Sequence, residues 1–240
     1  MISNQLAYAR THSFMRRGER EAGEMMNETK VAGLGPGEGL RQLAGRHREA
    51  LLQLGAGALG LAAAGASMFG GLAPFGVSLA AAADERFAVS ASLGALLGYI
   101  FSRDPAMTMQ YIGAVLLMGG LRWLATAAFS PQRVQRQAPL YAALALLATS
   151  LAVAAGRGFL LADVVLGLSQ AVLAGGGCYF FARALRAAGR GPAAARGTDG
   201  ACLVIALSIL TLGLAGWRLG GFSLGRMLGA LLILLAARQG

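Results

Sequence analysis

Charge is confined to a few short stretches of this chain, and that confinement limits it to one broad class of fold. Up to Arg48 the sequence is polar and basic; from Ala50 onward it is almost continuously Ala, Leu, Gly and Val. The charges there sit mainly in islands: Asp84-Glu85-Arg86, Arg103-Asp104, Arg133 with Arg136, Arg157, Arg183 to Asp199, Arg218 and Arg238. The apolar runs between islands approach the length of a helical span, roughly 20 residues. Alternate islands are arginine-rich and arginine-poor, as loops on opposite sides of a membrane are. The expectation is an all-α polytopic membrane helix bundle. Only 13% of residues are charged, against about 25% in soluble domains, and the mean hydropathy is +0.58. A water-soluble protein of 240 residues would need polar surface that this chain lacks.

The net charge of +10 is better read as cytoplasmic loops meeting anionic lipid than as nucleic-acid binding. No aromatic residues interleave with a basic stripe. The first residues do not read as a secretory signal, because they include Arg16, Arg17, Glu19, Arg20, Glu21 and Glu24 where an apolar core would lie.

Residues 1–37 end in Gly33-Leu34-Gly35-Pro36-Gly37, which predicts a flexible cytoplasmic segment. Over 38–49, Leu40, Leu43, Ala44 and His47 recur at helical spacing among Arg41, Arg46 and Arg48. That pattern predicts a basic amphipathic juxtamembrane helix. Residues 50–240 form the expected transmembrane domain, with spans near 50–69, 72–83, 87–102, 106–129, 138–156, 158–182, 200–217 and 220–237.

The stretch 50–83 could cross once or twice. As one helix it would reach about 51 Å, too long for one ordinary span, and Gly70-Gly71-Leu72-Ala73-Pro74 favours a break in its middle. Loop charge arbitrates. With two crossings and a cytoplasmic N-terminus, Arg86, Arg133, Arg136, Arg183, Arg186, Arg190, Arg196 and Arg238 are all cytoplasmic, and only Arg103, Arg157 and Arg218 lie outside. One crossing would put the basic loops at 130–138 and 183–199 outside, against the positive-inside bias. The expectation is about eight transmembrane helices with both termini cytoplasmic. The second is short or broken near Gly70–Pro74, buried where irregular backbone is tolerated.

Gly55-Ala56-Gly57-Ala58-Leu59-Gly60 matches the dinucleotide fingerprint, which requires a strand entering a helix through a tight turn. Here an amphipathic helix precedes it and an apolar run continues through it, so close helix packing is the better account. The same reading applies to Gly94 and Gly98, and to Gly221, Gly225 and Gly229 at four-residue spacing. Arg122, Asp163 and Arg226 are ionisable residues within apolar runs; a mid-bilayer charge costs roughly 2.5–3.5 kcal/mol. Arg122 is placed to snorkel at the cytoplasmic end of its span. Asp163 and Arg226 share a depth, and either pair, face a polar pocket together, or reach headgroups separately. Cys178 and Cys202 read as small packing residues, and His12 and His47 have no metal-spaced partners. The aspartates Asp84, Asp104, Asp163 and Asp199 are scattered, with no carboxylate cluster for a two-metal centre. No catalytic residues, bound cofactor or metal are expected in this chain, and it does not read as an enzyme.

The run Ala66-Ser67-Met68-Phe69-Gly70-Gly71-Leu72-Ala73-Pro74-Phe75-Gly76-Val77, with the basic helix before it and Asp84-Glu85-Arg86 after it, resembles the membrane-embedded N-terminal region of stage II sporulation protein E. The Leu72-Ala73-Pro74-Phe75 element is the sharpest match; Thr198-Asp199-Gly200 leading to Leu212-Gly213-Leu214-Ala215-Gly216 is similar to a later span. The resemblance covers roughly residues 40–240. It implies about ten spans preceding a cytoplasmic regulatory segment and a manganese- or magnesium-dependent serine/threonine phosphatase. That enzyme dephosphorylates an anti-anti-sigma factor and so activates the forespore sigma factor. The resemblance also implies placement at the asymmetric septum with the tubulin-like division protein as partner. The chain ends at Gly240, about two spans short of that pattern and without a position for the catalytic aspartates. Its expected function is therefore membrane anchoring, localisation and self-association in the bacterial cytoplasmic membrane. The alternative is a small-molecule transporter or permease component, with Asp163, Arg226 and the Gly70–Pro74 break near the path.

Overall fold

A computed structural model describes residues 36–68, 71–102, 105–190, 197–219 and 222–239. Most of the expected 1–37 segment, together with Gly70 and Gly221, lies outside the described residues. The chain divides into two compact units, Met1–Leu51 and Leu52–Gly240. The described part of the first is helical, and residues 47–51 are exposed.

Eight helices are described: α1 Pro36–Gly65, α2 Phe75–Ala82, α3 Glu85–Ser102, α4 Pro105–Ala128, α5 Pro131–Gly156, α6 Leu161–Arg190, α7 Thr198–Leu214 and α8 Leu224–Gln239. The fold is all-α, as the run lengths predict. Three helices open on proline (Pro36, Pro105 and Pro131), where the missing N–H is no loss and φ is already helical. The helix expected from residue 38 thus begins at Pro36, just inside the segment read as flexible. A feature the sequence reading did not anticipate is the antiparallel pair β1 (Arg218–Leu219) and β2 (Phe222–Ser223), in register Arg218↔Ser223. It delays the last helix to Leu224, so Gly221 precedes that helix.

Thr108–Ala128, Pro131–Gly156 and Leu161–Arg190 are long and apolar enough to cross a membrane. Thr198–Leu214 and Leu224–Leu234 are shorter apolar helices. Large apolar side chains point outward, among them Val89, Met109, Trp123, Leu161, Val172 and Ile233, each at least two-thirds exposed. The interior instead is lined with alanine and a few large residues: Tyr99, Tyr111, Met118, Leu146 and Phe181. Such an apolar exterior exceeds what soluble monomers expose.

At the centre of the second unit lies α2. All eight of its residues are buried, and it packs against α3, α4, α5 and α6. Helix α1 ends at Gly65 and α2 begins at Phe75; between them the described residues 66–68 and 71–74 are not helical. The second segment is thus short and broken, and enclosed by its neighbours.

Candidate functional site

An interrupted helix exposes backbone groups that a continuous one would pair internally, and neighbouring side chains must supply partners. Met68 and Leu72 exchange backbone hydrogen bonds of 2.8 and 2.9 Å. Between them Gly71 takes φ of +124°, which only glycine adopts without strain. The N–H of Ala73 then donates to Tyr111 Oη at 2.9 Å. Tyr99 Oη donates to the Ala73 carbonyl at 2.7 Å and accepts from the Val77 N–H at 3.2 Å. The two tyrosine rings stack 4.9 Å apart and 12° from parallel, both fully buried. Their hydroxyls serve Ala73 and the first turn of α2.

The other end of α2 is finished by charge. Arg122 Nη1 donates to the carbonyls of Ala81 (3.1 Å) and Ala83 (2.7 Å), and Gln135 Nε2 donates to that of Ala82 at 3.1 Å. Arg122 therefore does more than snorkel: it turns inward, because three carbonyls at a buried helix end need donors. Ser78 Oγ lies 3.0 Å from the carbonyl oxygens of both Pro74 and Ala174, tying α2 to α6.

A second polar group lies beside the break. Gln110 Nε2 donates to Ser150 Oγ at 2.8 Å and to Gln170 Oε1 at 3.0 Å; all three residues are buried. With Leu72, Arg157 and Asp163 they line a cavity of about 50 Å³. Asp163 meets Arg157 at 4.0 Å, while its Oδ2 is buried without a hydrogen-bond partner. Pairing of Asp163 with Arg226 is not what the fold provides. Arg157 closes α5 and Asp163 opens α6, so the short connection holds them together. Arg226 is exposed, and its N–H donates to Ser223 Oγ at 3.3 Å.

The glycines are instructive. A Cβ on Gly94 would collide with the Gly57 backbone, and one on Gly98 would meet Ala64 and Leu61. Gly60 faces the Ala91 carbonyl just as closely. The Gly57/Gly60 motif thus lies inside α1 as a packing seam against α3, away from any strand-to-helix turn. Gly225 abuts Thr211 of α7 and Ala215 just after it, whereas Gly229 has open space on its Cβ side and makes no such close approach. Gly213 against Ala62 and Gly65 is a further seam, one that the four-residue glycine spacing does not reveal. The same is true of the tyrosine pair and the Gln110–Ser150–Gln170 group, although polar side chains within apolar runs were their visible signal. Cys178 and Cys202 are buried and free.

Comparison with protein-family models, curated proteins and solved structures gives no match for this chain.

Proposed function

We propose that this chain is a membrane-embedded anchoring and assembly module like the N-terminal region of stage II sporulation protein E. In this reading it crosses the cytoplasmic membrane eight times with both ends inside, and its work is localisation and self-association. One observation carries it. Ala73, Pro74 and Phe75, part of the sharpest stretch of resemblance, lead into the helix around which the core is assembled, and Ala73 is gripped by two buried tyrosines. The likeness therefore falls on residues at the centre of the bundle. By the same resemblance the septal division protein is the partner and a phosphatase the cargo.

The test is a fluorescent fusion of the chain expressed in a sporulating bacterium. Enrichment at the asymmetric septum is expected; uniform membrane fluorescence would overturn the septal part of the proposal. Cysteine accessibility at residues 133 and 157 tests the orientation, with 133 expected to be protected from impermeant reagents in intact cells and 157 labelled. A second reading, passage of a small solute, draws on the polar cavity between the break and Asp163. Solute uptake into vesicles carrying the chain, abolished by Gln110→Leu, would favour it over the anchor.

A further inference from the structure

We propose that a groove among α4, α5 and α6 binds the headgroup of a monoanionic phospholipid of the phosphatidylglycerol type. The inference rests on the membrane reading above and adds a specific lipid site to it. The groove has a volume of about 720 Å³ and is lined by Arg122, Arg136 and Arg186, with Tyr179, Asp84 and Glu85. It lies where α4 and α6 end and α5 begins, the end of the bundle that carries the arginine-rich islands.

Its arginines are not equally free. Arg122 is committed to the carbonyls of Ala81 and Ala83. Arg186 spends its Nε on the Ala182 carbonyl at 2.9 Å, leaving both terminal nitrogens. Among the described residues, neither Arg136 nor Arg186 is in an ion pair. The neighbouring Asp199 differs, being met by Arg183 at 2.8 Å and by Arg190 at 3.8 Å. Arg183 also donates to Tyr179 Oη at 2.7 Å. Three arginines against two carboxylates leave the groove about one net positive charge. That balance suits a phosphodiester with a single negative charge, which two guanidinium groups can grip through paired N–H donors. A zwitterionic headgroup would bring its own cation to Arg136 and Arg186.

A lipid, rather than free phosphate, is favoured by the surroundings. Trp123 and Phe129 are exposed near the same end of α4, and Leu140 and Leu144 are exposed on α5. Interfacial aromatics and basic inter-helical pockets commonly occur together at headgroup depth.

The test uses the full chain in nanodiscs of mixed phosphatidylglycerol and phosphatidylcholine, ejected into a native mass spectrometer. Retention of phosphatidylglycerol over phosphatidylcholine is expected, falling about thirtyfold in R136Q/R186Q. R157Q/R226Q, which removes two charges elsewhere, is expected to retain lipid as the parent does, and circular dichroism must show both double variants helical. If R157Q/R226Q loses lipid as fully as R136Q/R186Q, net charge and not the groove attracts lipid, and the proposal fails. It also fails if millimolar inorganic phosphate displaces the lipid completely, which would mark the site as one for free phosphate. Septal enrichment of the fluorescent fusion is read separately, so either proposal can fall alone.

Discussion

Two helices that pack against each other, the enclosed α2 and the longer, partly exposed α6, solve the same problem in opposite ways. Helix α6 runs unbroken for 30 residues and pairs its own backbone. Helix α2 has eight, so much of its hydrogen bonding lies at its ends. Those ends are completed by Tyr99, Tyr111, Arg122 and Gln135, contributed by α3, α4 and α5. A long helix brings its stability with it; a short one borrows it from neighbours. The sites most sensitive to mutation should therefore lie on the helices around α2 as much as on α2 itself.

The largest effect is expected from Tyr99→Phe. It leaves the Val77 N–H and the Ala73 carbonyl buried without that hydroxyl, a loss of about 2–4 kcal/mol, measurable as a lower midpoint of denaturation in detergent. A loss below about 0.5 kcal/mol would break the contrast between borrowed and self-sufficient helices. Arg122→Met should cost about 2 kcal/mol, and hydrogen exchange should rise selectively at Ala81 to Asp84. Next come paired substitutions on α6. A Cβ at Gly177 would lie 3.0 Å from Ser78 Oγ and 3.1 Å from Phe75 Cδ1, whereas Gly176 faces open space. Gly177→Ala should destabilise by about 1 kcal/mol, while Gly176→Ala should stabilise by up to about 1 kcal/mol through helix propensity. Thermal melts of the two variants side by side would expose any error in the registry of α6 on α2. The smallest effect is expected at the Arg157–Asp163 pair, 4.0 Å apart and half exposed on the arginine side. A double-mutant cycle with R157Q and D163N should give a coupling below about 0.5 kcal/mol.

How much of this was legible in the sequence follows from where each signal resides. Run length and charge islands marked the helices, because backbone pairing and water exclusion act on every residue of a run. The break was legible because Gly71 and Pro74 carry their conformational meaning locally. Gly57, Gly94 and Gly98 were legible as packing residues for the same reason. What fills the break was not: Tyr99 and Tyr111 are distant in sequence from Ala73, and nothing in an apolar run says which neighbour a hydroxyl will meet. Arg122 was read as reaching outward because its depth was visible while the bare carbonyls of Ala81 and Ala83 were not. Asp163 and Arg226 were read as sharing a depth, with pairing one of three options, and Asp163 instead meets Arg157 because only four residues connect α5 to α6. The β1–β2 pair was passed over because two-residue strands leave almost no periodicity to read.

The brevity of α2 bears on how the protein is made. An eight-residue helix is far below the length that enters a bilayer independently, roughly 17–25 residues. Its hydroxyl and guanidinium partners belong to α3 and α4, which are synthesised later. On the membrane reading proposed above, the order of translation and the order of assembly therefore differ, because the partners that complete α2 follow it in the chain.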